Sequence, residues 1–180
     1  LLDVSLKVLP VARGTRTLRR HIAAQGAIDL LGRAAQRGFP LTGSFWSTDE
    51  LYVRLEGSPS GLDEVVPAIG GDRLDESAAA ALWHSVREQT HSYFTSAHPL
   101  WRLSLPATAT AAGAALVRAD RVAFEWNGAQ AWINGVERQA IDMITRTTDG
   151  HATLFRRDVM AVDDTSEVFA PLPAPLLDLH

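Results

Sequence analysis

The chain has 180 residues, 46% of them hydrophobic and 21% charged, with a formal net charge of −4. That balance belongs to a globular chain with enough apolar side chain for a core. It lacks the basic footprint of a nucleic-acid binder, holds no apolar stretch of membrane-spanning length, and has no cysteine for disulfides, thiolate zinc or iron–sulfur ligation.

The opening LLDVSLKVLP sets Val4, Leu6 and Val8 against Asp3, Ser5 and Lys7. It is expected to be a strand stopped by Pro10, which has no N–H for a ladder. Leu1 is not a start methionine and the alternation begins at once, so the chain is expected to start inside a larger architecture. Residues 15–20 are predicted to form a second strand. Ala27, Ile28, Leu30, Leu31, Ala34 and Ala35 recur at helical spacing, and Gly38 with Pro40 ends that helix. Residues 43–46 and 51–56 read as a hairpin around 47–50. Ser58-Pro59 starts a helix with Leu62, Val65, Val66 and Ile69 on one side. A longer helix is predicted over 75–94, with the stripe Leu82, Trp83, Val86, Tyr93 and Phe94.

The second half begins at Pro99. Residues 100–105 form a short strand closed by Pro106, and the small-residue run 107–115 is expected to be a loop with a weak helical turn. Residues 121–126 and 129–133 flank Asn127-Gly128, a strong hairpin signal because a type I′ turn needs two positive φ angles. Ala140, Ile141 and Ile144 mark a helix, and residues 151–157 the last strand. From residue 161 the chain is acidic, then proline-rich (FAPLPAPLLDLH). The fold class is therefore α+β, an antiparallel sheet with helices packed on one face. The expected organisation is a unit over 1–160, in halves of about 1–96 and 97–160, and a trailing segment over 161–180. No sequence repeat marks a duplication.

A regular Asn127-Gly128 hairpin pairs Trp126 with Ala129, Glu125 with Gln130, Phe124 with Ala131 and Ala123 with Trp132. Val122, Phe124, Trp126 and Ile133 then share an apolar face, and Glu125, Gln130 and Trp132 the opposite one. If the neighbouring strands align, that second face also collects Arg102, Ser104, His151 and Thr153. A cation, a carboxylate and an imidazole beside an aromatic ring would suit a substrate-facing wall. The alternative is an ordinary solvated face with one surface tryptophan.

Other motifs say less. His84, Glu88 and His91 follow i, i+4, i+7 spacing, as helix-borne metal ligands do, but they lie opposite the apolar stripe with no sign of supporting groups. No metal site is expected. Gly70-Gly71 and the stretch 57–61 lack the strand–glycine loop–helix context of a dinucleotide site. TRTLRRH, at 15–21, reads as an exposed strand.

PLWRLSLP, FEWNGAQAW and GHATLFRR, followed by FAPLPAPLLDLH, together resemble the C-terminal cap domain of the FAD-binding subunit of bacterial glycolate oxidase. That subunit is similar to the FAD-linked oxidases typified by vanillyl-alcohol oxidase. LLDVSLKVLP resembles the segment joining the two domains there. The resemblance implies a ferredoxin-like-related cap laid over a flavin, with FAD held mainly by an N-terminal domain that this chain lacks. It also implies oxidation of a small 2-hydroxy acid, glycolate to glyoxylate, in a complex with a second flavin subunit and an iron–sulfur subunit. The setting implied is the cytoplasm or the periphery of the inner membrane.

On chemistry and face geometry, Arg102 is the candidate for a substrate carboxylate and His151 the candidate base. Glu125 would orient either of them, and Trp132 would cover the ring. Ser104, Gln130 and Thr153 complete the substrate- or flavin-facing set. A non-catalytic α+β interaction module that stabilises a multi-subunit complex is the competing reading.

Overall fold

A computed structural model describes residues 3, 5, 6, 11–107, 109, 118–157 and 168. The expectations for 1–10, 107–115 and 161–180 lie almost entirely outside these residues. In chain order the elements are β1 (Gly14–His21), α1 (Ala24–Gln36), β2 (Leu41–Ser47), β3 (Glu50–Gly57), α2 (Pro59–Ile69), β4 (Asp72–Arg73) and α3 (Glu76–Arg87), then β5 (Leu100–Ser104), β6 (Val122–Glu125), β7 (Gln130–Asn134), α4 (Arg138–Thr148) and β8 (His151–Arg156).

All eight strands join one antiparallel sheet in the order β4-β1-β3-β2-β6-β7-β5-β8. Counted within each half, the strand orders are 4-1-3-2 and 2-3-1-4. Each is the ferredoxin-like split arrangement, and the two face each other across the β2–β6 pair. The duplication is thus plain in topology although no repeat shows in the sequence. The seam is short: Phe45, Trp46 and Ser47 pair with Glu125, Phe124 and Ala123.

Local signals account for most of the elements. The β2–β3 turn runs through Thr48 (φ 51) and Asp49 (φ 60), both left-handed as a two-residue hairpin requires. The α1 helix stops at Gly38 (φ 68), where the N–H of Phe39 reaches the carbonyl of Ala34 at 3.0 Å. Ser58 Oγ caps α2 by accepting from Gly61 N at 3.2 Å, and the Asp75 carboxylate caps α3 by accepting from Ala78 N at 2.8 Å.

The expected helix over 75–94 is shorter than its stripe suggests. It ends at Arg87, because Gln89 adopts φ 57 and the N–H of Thr90 returns to the carbonyl of Ser85 at 2.8 Å. A 3-10 turn, Ser92–Thr95, then carries Tyr93 and Phe94. The two-residue strand β4 is a further element that the sequence pattern does not announce.

The helices α1, α2 and α4 cover one face of the sheet, as expected. Leu31, Leu51, Leu55, Leu62, Leu103, Phe124 and Ile141 are fully buried between those layers. The other face carries a second, aromatic core of Phe45, Val86, Tyr93, Phe94, Leu100, Ala123 and Trp132. Its cover is the connection between the two halves, α3 followed by residues 91–96, which crosses the sheet as a belt. Trp83 Nε1 donates to Thr17 Oγ1 on β1 at 2.9 Å. At the far end, Arg156 on β8 donates from Nη2 to the carbonyls of Phe94 and Ser96 at 2.7 and 2.9 Å. One linker therefore ties the first half to the second. The sheet is bounded by β4 on one side, while on the other the outward N–H of Leu154 meets the carbonyl of Val168 at 2.7 Å.

Candidate functional site

The β6–β7 register is the one expected: Glu125 opposes Gln130, Phe124 opposes Ala131, and Ala123 opposes Trp132. Asn127 (φ 56) and Gly128 (φ 91) make the type I′ turn, closed by Ala129 N–H to Trp126 O at 3.1 Å. Trp126 departs from expectation. It is itself left-handed (φ 52), which swings its side chain out of the ladder and leaves it 71% exposed. It does not join Val122, Phe124 and Ile133 on the apolar face. A bulky residue in this conformation is strained, and the sequence offers no warning of it.

The neighbouring strands align as the face argument requires. On β5, Ser104 lies between Gln130 and His151, and Arg102 lies between Trp132 and Thr153. Two rows result on the belt side of the sheet: Glu125, Gln130, Ser104, His151, and beside it Ala123, Trp132, Arg102, Thr153. All seven candidates share this face. Arg102, Ser104 and His151 are exposed, while Glu125, Gln130 and Thr153 are half-buried. Arg102 and His151 have no ion-pair or hydrogen-bond partner among the described residues. They are diagonal neighbours, a relation that sets antiparallel positions about 7–8 Å apart.

Two of the expected roles change. Trp132 points to this face but is only 4% exposed, held edge-on between Phe94 at 5.4 Å and Phe155 at 5.2 Å. It is the floor of the patch and has no free ring face to lay on a ligand. Glu125 is two strands from Arg102 and three from His151, roughly 10 and 14 Å at ordinary strand spacing, so it orients neither directly. Instead its Oε1 accepts from Trp132 Nε1 at 2.7 Å. Burial pushes the Glu125 carboxyl above the usual range, and the indole N–H only partly opposes this.

The same face of the first half is different. Arg19 reaches Glu50 at 3.8 Å and Asp72 at 3.6 Å, and His21 reaches Glu50 at 3.5 Å. Its charges satisfy one another, whereas the second half leaves a cation and an imidazole without partners among the described residues. The remaining arginines of TRTLRRH turn to the helical face. There Arg16 pairs with Asp63 at 3.7 Å and Arg20 donates to the carbonyl of Ile69.

The helix-spaced His84, Glu88 and His91 do not converge. Glu88 is held by Arg87 at 2.8 Å, while His91 packs edge-on to Phe45 at 4.9 Å and accepts from Tyr93 N at 3.2 Å. No helix among the described residues is long and apolar enough to cross a membrane.

No protein-family model matches the chain, and no solved structure matches it significantly. Among curated proteins it is similar to the glycolate oxidase subunit GlcE of Escherichia coli (strain K12), with 33% identity over 181 aligned residues. The alignment takes in 100% of this chain and 47% of GlcE, so the chain spans about half the length of the relative it matches.

Proposed function

We propose that this chain is the cap part of a flavin-dependent oxidoreductase subunit that acts on glycolate or a similar small 2-hydroxy acid. The observation that carries the reading is the similarity to the glycolate oxidase subunit GlcE along the entire chain. The open patch of the second half supports it, because its exposed donors are left for a ligand. On the resemblance to that subunit, the phosphates and adenine of FAD would be held mainly by an N-terminal domain of the full-length protein. When bound, FAD supplies a two-electron acceptor for the hydrogen on the hydroxyl-bearing carbon.

The residues of the patch then divide the remaining work. Arg102 takes the substrate carboxylate through two parallel N–H···O bonds. His151, diagonal to it, takes the hydroxyl proton. Ser104 sits beside both, and Gln130 and Thr153 border the pair on either side. Because Arg102, Ser104 and His151 are exposed, water is excluded only when another surface covers them, which is what a cap closed on a flavin domain provides. A second flavin subunit and an iron–sulfur subunit complete the proposed assembly.

The same exposure favours one other reading, in which the patch is a docking surface that stabilises a complex without touching substrate. Substitution of Arg102 and His151 in the full-length, assembled protein separates the two. The oxidoreductase reading expects His151→Ala to lower turnover by about 10²–10⁴-fold, and Arg102→Ala to raise KM steeply, with assembly intact. Unchanged turnover of the intact complex removes both residues from the site. Loss of assembly instead supports the docking reading.

A further inference from the structure

At the end of β6 and β7 opposite the Trp126–Ala129 loop lies a polar cavity of about 380 Å³, at the small end of ligand sites. Thr48 reaches it from the β2–β3 turn, Ser92 and Ser96 from the belt, and Asn134 from the end of β7. The wall is therefore complete only where the two halves and the belt meet. Arg121 and His98 are its basic groups. Gly135 (φ 60) lets them approach together: a Cβ there would lie 3.1 Å from an Arg121 guanidinium nitrogen and 3.3 Å from His98 Cβ. One Arg121 nitrogen donates to the carbonyl of Gly135, and no carboxylate forms an ion pair with this side chain among the described residues. Asp120, the acidic residue of the wall, is already held by Arg118 through two bonds at 3.0 and 3.2 Å. Asn134 is 7% exposed, and its Nδ2 donates to the carbonyl of Tyr93 at 2.9 Å. Its Oδ1 is buried without a partner among the described residues, a costly state for an amide oxygen.

We infer that this cavity binds a small oxyanion, of the size of phosphate or a two- or three-carbon carboxylate. The guanidinium and imidazole N–H groups face the anion, and the Ser92 and Thr48 hydroxyls add donors. The site is distinct from the Arg102 patch, which lies toward the other end of the same strands, and it does not depend on the flavin reading.

Calorimetric titration of the chain in its natural sequence context with sodium phosphate, sodium sulfate and sodium acetate tests it. Saturable binding of phosphate and sulfate is expected, with the singly charged acetate weaker. His98→Ala and Arg121→Gln should each weaken that binding about tenfold or more, as loss of a charge-assisted bond does. The exposed α1 variant Arg33→Gln, outside both sites, should leave it unchanged. If Arg121→Gln unfolds the chain by freeing Gly135, His98→Ala and Ser92→Ala carry the test, since neither side chain ties down a strand. No saturable binding of any of the three anions overturns the proposal. So does binding that persists in His98→Ala and Ser92→Ala. Loss in Arg102→Ala with retention in His98→Ala moves the ligand to the open patch, which overturns this site and leaves the oxidoreductase reading standing.

Discussion

The two faces of the sheet are held by different physics. The helical face is largely aliphatic and continuous, with leucine, isoleucine and alanine from α1, α2 and α4 meeting both halves in one core. The belt face is smaller and aromatic, and directional bonds fix it. Tyr93 Oη lies 2.8 Å from the Arg121 carbonyl and 2.7 Å from the Trp132 carbonyl, with one proton to serve both. Apolar packing tolerates changes of shape, whereas a buried hydroxyl or amide needs its partner. The first face thus supplies most of the stability, and the second fixes how the halves meet and which polar groups stay free.

The largest expected effect breaks the helical face. Phe124 is fully buried and stacks on Trp46 with ring centroids 5.0 Å apart. Phe124→Ala should cost about 3–5 kcal/mol in urea unfolding. A loss below about 1 kcal/mol would mean that the two halves do not share one core.

On the belt face, Tyr93→Phe should cost about 1–2 kcal/mol, because two carbonyls lose their shared hydroxyl. A double-mutant cycle of Trp83→Phe with Thr17→Val should show a coupling of about 1 kcal/mol. Additivity there would show that the belt is not pinned to β1.

Two groups on the belt face give opposite responses to pH. Burial lowers the pKa of His91, so the unfolded chain binds its proton more readily. Its contribution is complete above the unfolded value near 6.5 and is lost as pH falls through the lowered folded value. Glu125 has a raised pKa, so the folded chain keeps that proton longer. Its contribution is complete below the unfolded value near 4.5 and is lost as pH rises through the folded one. Melting temperatures over pH 4–8 should show His91→Gln flattening the acid limb. Glu125→Gln, which keeps an acceptor for Trp132, should raise stability at neutral pH. A lower neutral melting temperature in Glu125→Gln would contradict the assigned cause. The smallest stability effect is expected for Arg102→Ala, within about 0.5 kcal/mol, since this exposed side chain has no partner among the described residues.

Much of the helical face was legible in the sequence. The α1 stripe and the β6–β7 register follow from hydrophobic period and from Asn127-Gly128, because alternation survives any distortion at the loop tip. The belt was not legible. Leu82, Trp83, Val86, Tyr93 and Phe94 keep a helical spacing, and the break falls on Gln89 without the glycine or proline that usually marks one. Missing that break makes Trp132 look like a surface residue, although its position on the face follows correctly from the register. Arg102, Ser104 and His151 were legible because sheet alternation alone decides their exposure. The Arg121–His98 cavity was not, since its wall comes from four separate segments, at 48, 92–98, 120–121 and 134, that only the tertiary fold brings together.

The borders of the sheet carry a consequence for solubility. An eight-stranded sheet with bare edges is a template on which further chains polymerise. Here one border strand is the two-residue, charged Asp72–Arg73, too short to seed a ladder. On the other border, the outward amide of Leu154 is already occupied by Val168 from the same chain. The sheet thus ends at a charged two-residue stub on one side and, on the other, at a strand whose Leu154 amide is taken by Val168, and each feature works against amyloid-like growth at its border.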